Sequence, residues 1–323
     1  MRLWSIYIVL QSFKGLEIKL RYPLLHQFLH KLGQLPHLLD LIIDTDDSDL
    51  APSIQPHSTP ISISNSKFRQ LRHLPVQILG TTAPIHCILD ELKGLANLST
   101  LKIDRESDTA LWGFQVEDQD ISVTWKSFFE VISTFSAVED IEKFNRSRES
   151  ISASSLAPLF RLDNLKGFVI NDSIILSGSD DDFRLLAGGF PTLKKFVIPR
   201  PLSSDRRTLA CLYYLYRDCP DLRGVAITLL SKISENLNAI KELPHPIVRN
   251  HHPLEKLYID SDFGQLQPIQ LVLARFLDLI FPTLSTLETD KSKSTEAANW
   301  AGIHELRSAL REARMNPSSV GNI

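Results

Sequence analysis

Cysteine, glycine and clustered positive charge are all scarce in this 323-residue sequence. The three cysteines, Cys87, Cys211 and Cys219, form no Cys-x-x-Cys pair, so we predict neither a zinc clamp nor a dithiol centre. The 13 glycines form no phosphate-binding motif, and no nucleophile or metalloprotease motif occurs either, so we expect no cofactor, no metal and no catalysis. The 35 basic residues are scattered and the net charge is -3, which disfavours nucleic acid as a partner.

An odd and sparse set of cysteines suits a reducing compartment, so we predict a cytoplasmic or nuclear protein. The apolar run from Leu3 to Leu10 is of the kind found in signal peptides, but no small-residue cleavage site follows it. We interpret the run as a strand or a cap of the fold. It is also too short to span a membrane, and no membrane partner is expected.

What the sequence does contain is a repeated frame: an apolar residue, two variable residues, an apolar residue, one variable residue and an aliphatic residue. Successive copies begin roughly thirty residues apart, a spacing typical of repeat architectures. Two of the ten copies, those that begin at Val138 and Leu284, have no aliphatic residue at the third position. The ten copies are Phe13-Leu16-Ile18, Leu38-Leu41-Ile43, Leu71-Leu74-Val76, Leu98-Leu101-Ile103, Val138-Ile141-Lys143, Leu165-Phe168-Ile170, Leu193-Phe196-Ile198, Leu222-Val225-Ile227, Leu254-Leu257-Ile259 and Leu284-Leu287-Thr289.

Each copy predicts a short strand with one buried face, because its last two apolar positions are two residues apart. A proline stands just before several copies, as at Pro36, Pro191 and Pro282, and proline ends a preceding helix. Upstream of the copies, apolar residues recur at helical spacing. The clearest helical sets are Leu24-Leu25-Phe28-Leu29-Leu32, Trp125-Phe128-Phe129-Ile132, Leu209-Leu212-Tyr213-Tyr216 and Leu271-Val272-Phe276-Leu277-Ile280.

This order of strand, loop, helix and proline resembles that of leucine-rich repeats over essentially the whole chain. The resemblance implies an α/β solenoid of about ten irregular repeats, with a parallel sheet on the concave face and helices on the convex face. We predict one solenoid over residues 1–314, closed by a terminal capping helix at about 297–314. Residues 315–323 are rich in Asn, Pro, Ser and Gly, and we expect them to be disordered.

The last third of the chain carries a more specific resemblance. The run His252–Ile259, the segments 272–277 and 280–284, and Trp300 opening a terminal helix are together similar to the C-terminal region of fungal F-box proteins with divergent leucine-rich repeats. That family uses its repeats to hold a substrate for ubiquitin transfer and its N-terminal F-box to hold the ligase scaffold. The residues before Phe13 are too few for an F-box, so binding of a Skp1-type adaptor is not expected from this sequence.

In such a sheet, the residues that alternate with the buried set face the concave side, where repeat proteins usually bind their partners. Between the second and third frame positions of four successive repeats stand weakly polar or apolar residues, which predict a stripe for a protein partner: Val169, Val197, Ala226 and Tyr258. The alternative is that the inserts at 202–206 and 229–248 cover this stripe.

A set of basic residues flanks the stripe just before the second frame position: Lys166, Lys194, Lys195, Arg223 and Lys256. They predict a basic rim for an acidic or phosphorylated partner. The alternative is that they are ordinary solvated side chains.

The sequence contains two acidic clusters and one histidine cluster, and their patterns favour structural roles over metal binding. The runs Asp44–Asp49 and Asp180–Asp182 lack the pattern of a calcium loop, and the second run suits the start of a helix at Phe183. His245, His251 and His252 lie near prolines with no cysteine beside them, which favours a loop over a zinc site.

We therefore predict a non-catalytic protein-interaction scaffold, the substrate-recognition repeat region of an F-box-like ubiquitin ligase adaptor. Two alternatives stay open. One is a secreted or surface leucine-rich-repeat recognition protein. The other is an enzyme with a site in the insert at 104–137, where Trp112, Asp118, Asp120 and Trp125 gather.

Overall fold

The computed structural model describes most of the repeated frame and the segments around it. The described residues are 14–21, 32, 35, 37–46, 70–79, 95, 97–106, 119–145, 149–170, 174–198, 207–229, 232–244, 252–261, 269–289 and 294–315. They fall into two compact units. Unit 1 comprises residues 1–149 and 155–165, and unit 2 comprises residues 150–154 and 166–323.

The described part of unit 1 contains five parallel strands, each paired with the next one along the chain. One helix, α1 (Gln119–Ile132), precedes the fifth strand and contains the apolar set predicted around Phe128. The predicted helix over Leu24–Leu32 lies outside the described residues except for Leu32. The strands are β1 (Gly15–Arg21), β2 (Asp40–Asp46), β3 (His73–Leu79), β4 (Thr100–Glu106) and β5 (Asp140–Asn145).

The described part of unit 2 contains a second run of five parallel strands, each paired with the next strand of the run. Two further strands form a separate two-stranded sheet, β6 (Glu149–Ser152) and β8 (Ile174–Ser177). A 3-10 helix at Ala153–Arg161 follows β6, and its residues from 155 onward belong to unit 1. The strands of the parallel run are β7 (Gly167–Ile170), β9 (Lys195–Val197), β10 (Gly224–Leu229), β11 (Lys256–Ser261) and β12 (Thr286–Glu288).

The strand register follows the repeated frame in both units. Second frame positions pair with one another, as in Leu74 with Leu101 and Val225 with Leu257. In unit 2, the second-position residues Phe168, Phe196, Val225 and Leu257 are all buried. Such agreement between frame and register is what a buried strand face requires, because a slip of one residue would turn every apolar side chain to the other face. The prediction of parallel strands set by this frame is confirmed.

A backbone hydrogen-bond pattern also recurs where each strand begins. In unit 2, the amides of Lys194 and Lys195 both donate to the Lys166 carbonyl, and the amides of Arg223 and Gly224 both donate to the Lys194 carbonyl. The same pairing of two amides on one carbonyl occurs in unit 1, with Leu39 and Asp40 on Lys14. The repeats therefore resemble one another in backbone geometry as well as in sequence.

The described residues of unit 2 form five further helices, four of which alternate with the strands: α2 (Asp180–Gly189), α3 (Ala210–Asp218), α4 (Ile233–Glu242), α5 (Gln270–Ile280) and α6 (Ser294–Met315). Helices α2, α3 and α5 end two residues before Pro191, Pro220 and Pro282, as expected for proline as a stop signal. Helix α2 starts with a capping box between Ser179 and Asp182.

The predicted terminal helix begins slightly earlier than expected, at Ser294, and ends at Met315, while residues 316–323 lie outside the described part of the chain. Helix α4 lies in the segment 229–248, which the sequence predicts to be an insert. The described part of the chain is thus an α/β protein with parallel strands.

Candidate functional site

In unit 2, one face of strands β9 to β12 is exposed to solvent near the N-terminal end of each strand. On β10 and β11, Val225 and Leu257 are buried, whereas the residues on either side of them are exposed or half-exposed. We call the solvent-facing residues of β9 to β12 the open strand face. They are Lys195, Val197, Gly224, Ala226, Lys256, Tyr258, Thr286 and Glu288.

Positive charge is concentrated on and beside the open strand face. Lys195 and Lys256 are exposed and flank Gly224, to which both are paired in register. Lys194 and Arg223, just before β9 and β10, are also exposed. None of these four cations has an ion-pair partner among the residues that the structure describes.

The spacing of these cations follows from the strand geometry. Neighbouring strands lie roughly 4.8 Å apart, so the backbones at Lys195 and Lys256 are roughly 10 Å apart with Gly224 between them. Two acidic residues, Glu255 and Glu288, lie in the same region and are exposed. The patch is therefore net positive on a chain whose overall charge is -3.

Two of the predicted surface residues do not belong to this open face. Val169 is 8% exposed, and all four residues of β7 are buried. A strand buried on both faces presents no side chain to a partner, so the prediction that Val169 lines an accessible stripe is wrong. Lys166 precedes β7, is half-exposed and has an interaction partner. The predicted stripe begins at β9 rather than at β7.

The second half of β10 and β11 is covered. Thr228 and Asp260 pair in register on these strands, on the same side as Ala226 and Tyr258, yet they are only 6% and 4% exposed. Next to Asp260, Ser261 accepts a hydrogen bond from the indole nitrogen of Trp300 at 3.1 Å. The accessible part of the surface is thus limited to the strand starts.

His252 is a buried structural histidine. Its Nδ1 accepts the Leu254 amide at 3.3 Å, so Nε2 carries the proton and donates to the Cys219 carbonyl at 3.2 Å. The Thr283 hydroxyl donates to the His252 carbonyl. Nε2 thus bonds the preceding repeat and Nδ1 bonds the repeat of His252 itself, and His252 lies in the loop before β11, as predicted. His245 and His251 lie outside the described residues.

A second buried cluster joins α2 to α3. The Asp180 carboxylate accepts the Thr208 amide at 2.9 Å and the Thr208 hydroxyl at 2.6 Å. Burial raises the pKa of Asp180, and the two bonds from Thr208 oppose that shift. The Arg207 guanidinium donates to the Leu176 carbonyl and lies 4.8 Å from the centre of the Phe183 ring. These contacts hold consecutive repeats together and leave Arg207 completely buried.

The two described thiols are poor nucleophiles. Burial raises the pKa of Cys211 well above its usual value, and burial raises the pKa of Cys219 to about 12. A thiol that stays protonated at neutral pH neither attacks an electrophile nor binds a metal readily. Cys211 and Cys219 instead fill the core, while Cys87 lies outside the described residues.

The other candidate sites gain no support from geometry. Within the described ranges, no group of three or more His, Cys, Asp or Glu side chains is placed to hold a metal ion. In the insert at 104–137, Trp112 and Asp118 lie outside the described residues, and Asp120 and Trp125 belong to α1. Of the two acidic runs, Asp180–Asp182 forms the first turn of α2, as predicted.

The last helix, α6, covers the end of the repeat run in unit 2. In the preceding repeat, the Leu254 carbonyl accepts the Thr283 hydroxyl of the next repeat at 3.1 Å. The equivalent carbonyl at Leu284 accepts a bond from the Arg307 guanidinium of α6, which also donates to the Phe281 carbonyl at 3.3 Å. Sequence reasoning did not identify Arg307, because a single arginine in a helix carries no signal of burial.

No protein-family model matches the chain, and no curated protein sequence matches it. Among the helices that the structure describes, none combines the length and the apolar character needed to cross a membrane.

Proposed function

We propose that this chain is a leucine-rich-repeat solenoid that catalyses no reaction and binds an acidic segment of another protein on the open strand face. The observation that carries the proposal is the set of four exposed cations, Lys194, Lys195, Arg223 and Lys256, none of them ion-paired within the described residues. Charged side chains placed together without partners raise the local positive potential, which attracts and orients an acidic partner.

The apolar part of the open strand face supports the same proposal. Val197, Ala226 and Tyr258 are half-exposed next to these cations. Tyrosine supplies a large, rigid contact area and a hydroxyl group, and such residues are enriched at protein interfaces. A surface with an apolar centre and a charged rim is the usual anatomy of a protein-binding site.

The resemblance of the last third to fungal F-box proteins extends the proposal. The repeats would serve as the substrate-recognition region of a ubiquitin ligase adaptor, and the acidic segment would belong to the substrate of that ligase. The cytoplasm and the nucleus, where such ligases act, are the compartments that this role implies.

Charge reversal tests the binding proposal. The immobilised full chain is incubated with a display library of short random peptides, and the retained peptides are sequenced. We expect net-negative peptides to be enriched, and the double variant Lys195→Glu/Lys256→Glu to retain them about tenfold less well, because both cations become repulsive.

The matched control changes the same charge elsewhere in unit 2. Lys241 on α4 and Arg275 on α5 are exposed, so Lys241→Glu/Arg275→Glu alters the net charge equally without touching the open strand face. Equal losses in the two double variants would mean that net charge alone drives retention. A library without enrichment of acidic peptides would refute the proposal.

A further inference from the structure

Strand β12 lies at the edge of the parallel run in unit 2. Among the described strands it pairs with β11 alone, so the main-chain groups on its other side are available. Helix α6 covers the turn between α5 and β12, where Arg307 bonds the Phe281 and Leu284 carbonyls. The edge of β12 itself can pair with an added strand, because its N–H and C=O groups are already in an extended arrangement.

The recurring pair of amide hydrogen bonds at the strand starts is incomplete at β12. The amides of Glu255 and Lys256 donate to the Arg223 carbonyl, and the amides of Ser285 and Thr286 donate to the Glu255 carbonyl. The next acceptor in this series is the Ser285 carbonyl, to which no group in the described part of the chain donates. A following strand would supply two amides here, as β11 does for β10.

The side chains of β12 are also less covered than those of the strands before it. Leu287 occupies the second frame position and is half-buried, whereas Val225 and Leu257 at the same position are 4% and 1% exposed. One more strand would remove apolar surface of Leu287 from water and would supply the missing donors. Both observations favour an extended polypeptide as the ligand of this edge.

The charge on β12 indicates which polypeptide fits. Glu288 follows Leu287, is exposed, and has no ion-pair partner among the residues that the structure describes. In a parallel strand added in the same register, the residue after the apolar one would lie next to Glu288, and opposite charges at neighbouring positions stabilise strand pairing. Strand β1 of a second copy does not meet this requirement, because Glu17 follows Leu16 at the same point of the frame.

We infer that the free edge of β12 binds an extended segment of a partner protein, which adds as a parallel strand with an apolar residue beside Leu287 and a lysine or arginine beside Glu288. The two amides before that apolar residue donate to the Ser285 carbonyl. The inference is independent of the acidic segment proposed for the open strand face, because it concerns the edge of the sheet and a basic ligand.

Blocking the amides of the ligand tests the main-chain part of the inference. The probe is a pool of short fluorescent peptides with a central Val-Lys pair between degenerate neutral residues, and anisotropy measures its binding to the full chain. N-methylation of the two residues before valine removes both donors to Ser285 and should weaken binding about tenfold. The matched control is N-methylation of the last two residues of the same peptides, which should change affinity by less than about twofold.

Charge reversal at Glu288 tests the side-chain part of the inference. The natural chain should bind the Val-Lys pool about threefold better than a Val-Ser pool, because an exposed ion pair makes a modest contribution. Glu288→Lys should remove this preference. Glu305→Lys makes the same charge change on α6 and should keep the preference. Both positions are exposed, so both variants are expected to fold.

Each measurement has an outcome that would overturn the inference. Equal binding of the two N-methylated pools would show that the peptide main chain does not pair with β12. A preference for lysine that survives Glu288→Lys would place the basic residue elsewhere on the protein. In sedimentation velocity without peptide, the natural chain should be a monomer, and a dimer that Glu288→Lys dissociates would show that a second copy occupies the edge instead of a partner protein.

Discussion

Replacement of Arg307 by alanine is expected to lower the free energy of unfolding by about 3–5 kcal/mol, the range found when one partner of a buried charged network is removed. Arg307 is 2% exposed, and its guanidinium donates to the carbonyls of Phe281 and Leu284. Alanine would leave both carbonyls without these donors. It would also remove a cation that lies near the buried carboxylate of Asp278.

The buried position of Arg307 disfavours its positive charge. Burial lowers the pKa of Arg307, and the Asp278 carboxylate on α5 opposes that shift. Asp278 is itself 1% exposed and contacts Arg314, with 2.5 Å between Oδ2 and Nη2. Arg307→Ala would therefore remove one of two cations from a network of three charged residues, Asp278, Arg307 and Arg314, that joins α5 to α6.

Urea-induced unfolding followed by tryptophan fluorescence measures this effect, because Trp300 lies on the same helix and reports on its environment. Arg311→Ala is the matched control, since Arg311 lies one turn away on α6 and is exposed. It should change stability by no more than about 0.5 kcal/mol. If both variants unfold at the same urea concentration, Arg307 does not perform the capping role described for it.

Replacement of Trp300 by alanine is expected to cost about 3–5 kcal/mol, the range measured for large aromatic side chains removed from a core. Trp300 is 1% exposed and donates its indole N–H to the Ser261 hydroxyl, which is also buried. Alanine would leave a cavity and deprive a buried hydroxyl of a donor.

Circular dichroism during thermal unfolding measures the Trp300→Ala effect without relying on tryptophan emission. Trp300→Phe should lose less, because it keeps most of the buried volume and lacks only the N–H donor. Leu306→Ala, at a position 37% exposed on the same helix, should lose least. A Trp300→Ala variant as stable as Leu306→Ala would contradict the assignment of α6 as a cap of the core.

The strands of this protein follow from its sequence because each frame places apolar residues two apart on one buried face. That spacing correctly predicted the register of Leu74 with Leu101 and of Val225 with Leu257. Helices α3 and α5 were predicted from apolar residues at helical spacing. The buried face of α5 was predicted less well, since Leu271 and Val272 are exposed while Leu273 and Ala274 are buried.

Other features were missed because they depend on tertiary contacts that a single sequence does not reveal. Arg207, Arg307 and His252 are buried because each donates to a backbone carbonyl inside the fold, whereas these residue types are usually exposed or only partly buried. Helix α4 had a readable signal, with apolar residues at Ile233, Leu237 and Ile240 at helical spacing.

The candidate site was predicted in part. Lys195, Arg223 and Lys256 are exposed, as the basic-rim prediction requires. Val169 occupies the same frame position as Ala226, yet it is buried. The frame does not indicate which strands other parts of the chain cover. The open face is therefore narrower than the sequence alone indicates.

The binding of an acidic partner on the open strand face is the central claim, and lysine footprinting tests it most directly. The full chain is treated with acetic anhydride with and without a saturating pool of glutamate-rich peptides, and mass spectrometry measures acetylation at each lysine. Lys194, Lys195 and Lys256 should lose most of their reactivity in the presence of the peptides, while the exposed Lys126 and Lys241 should keep theirs. Unchanged reactivity at Lys195 and Lys256 with bound peptide, or protection at Lys126 and Lys241 instead, would contradict the claim.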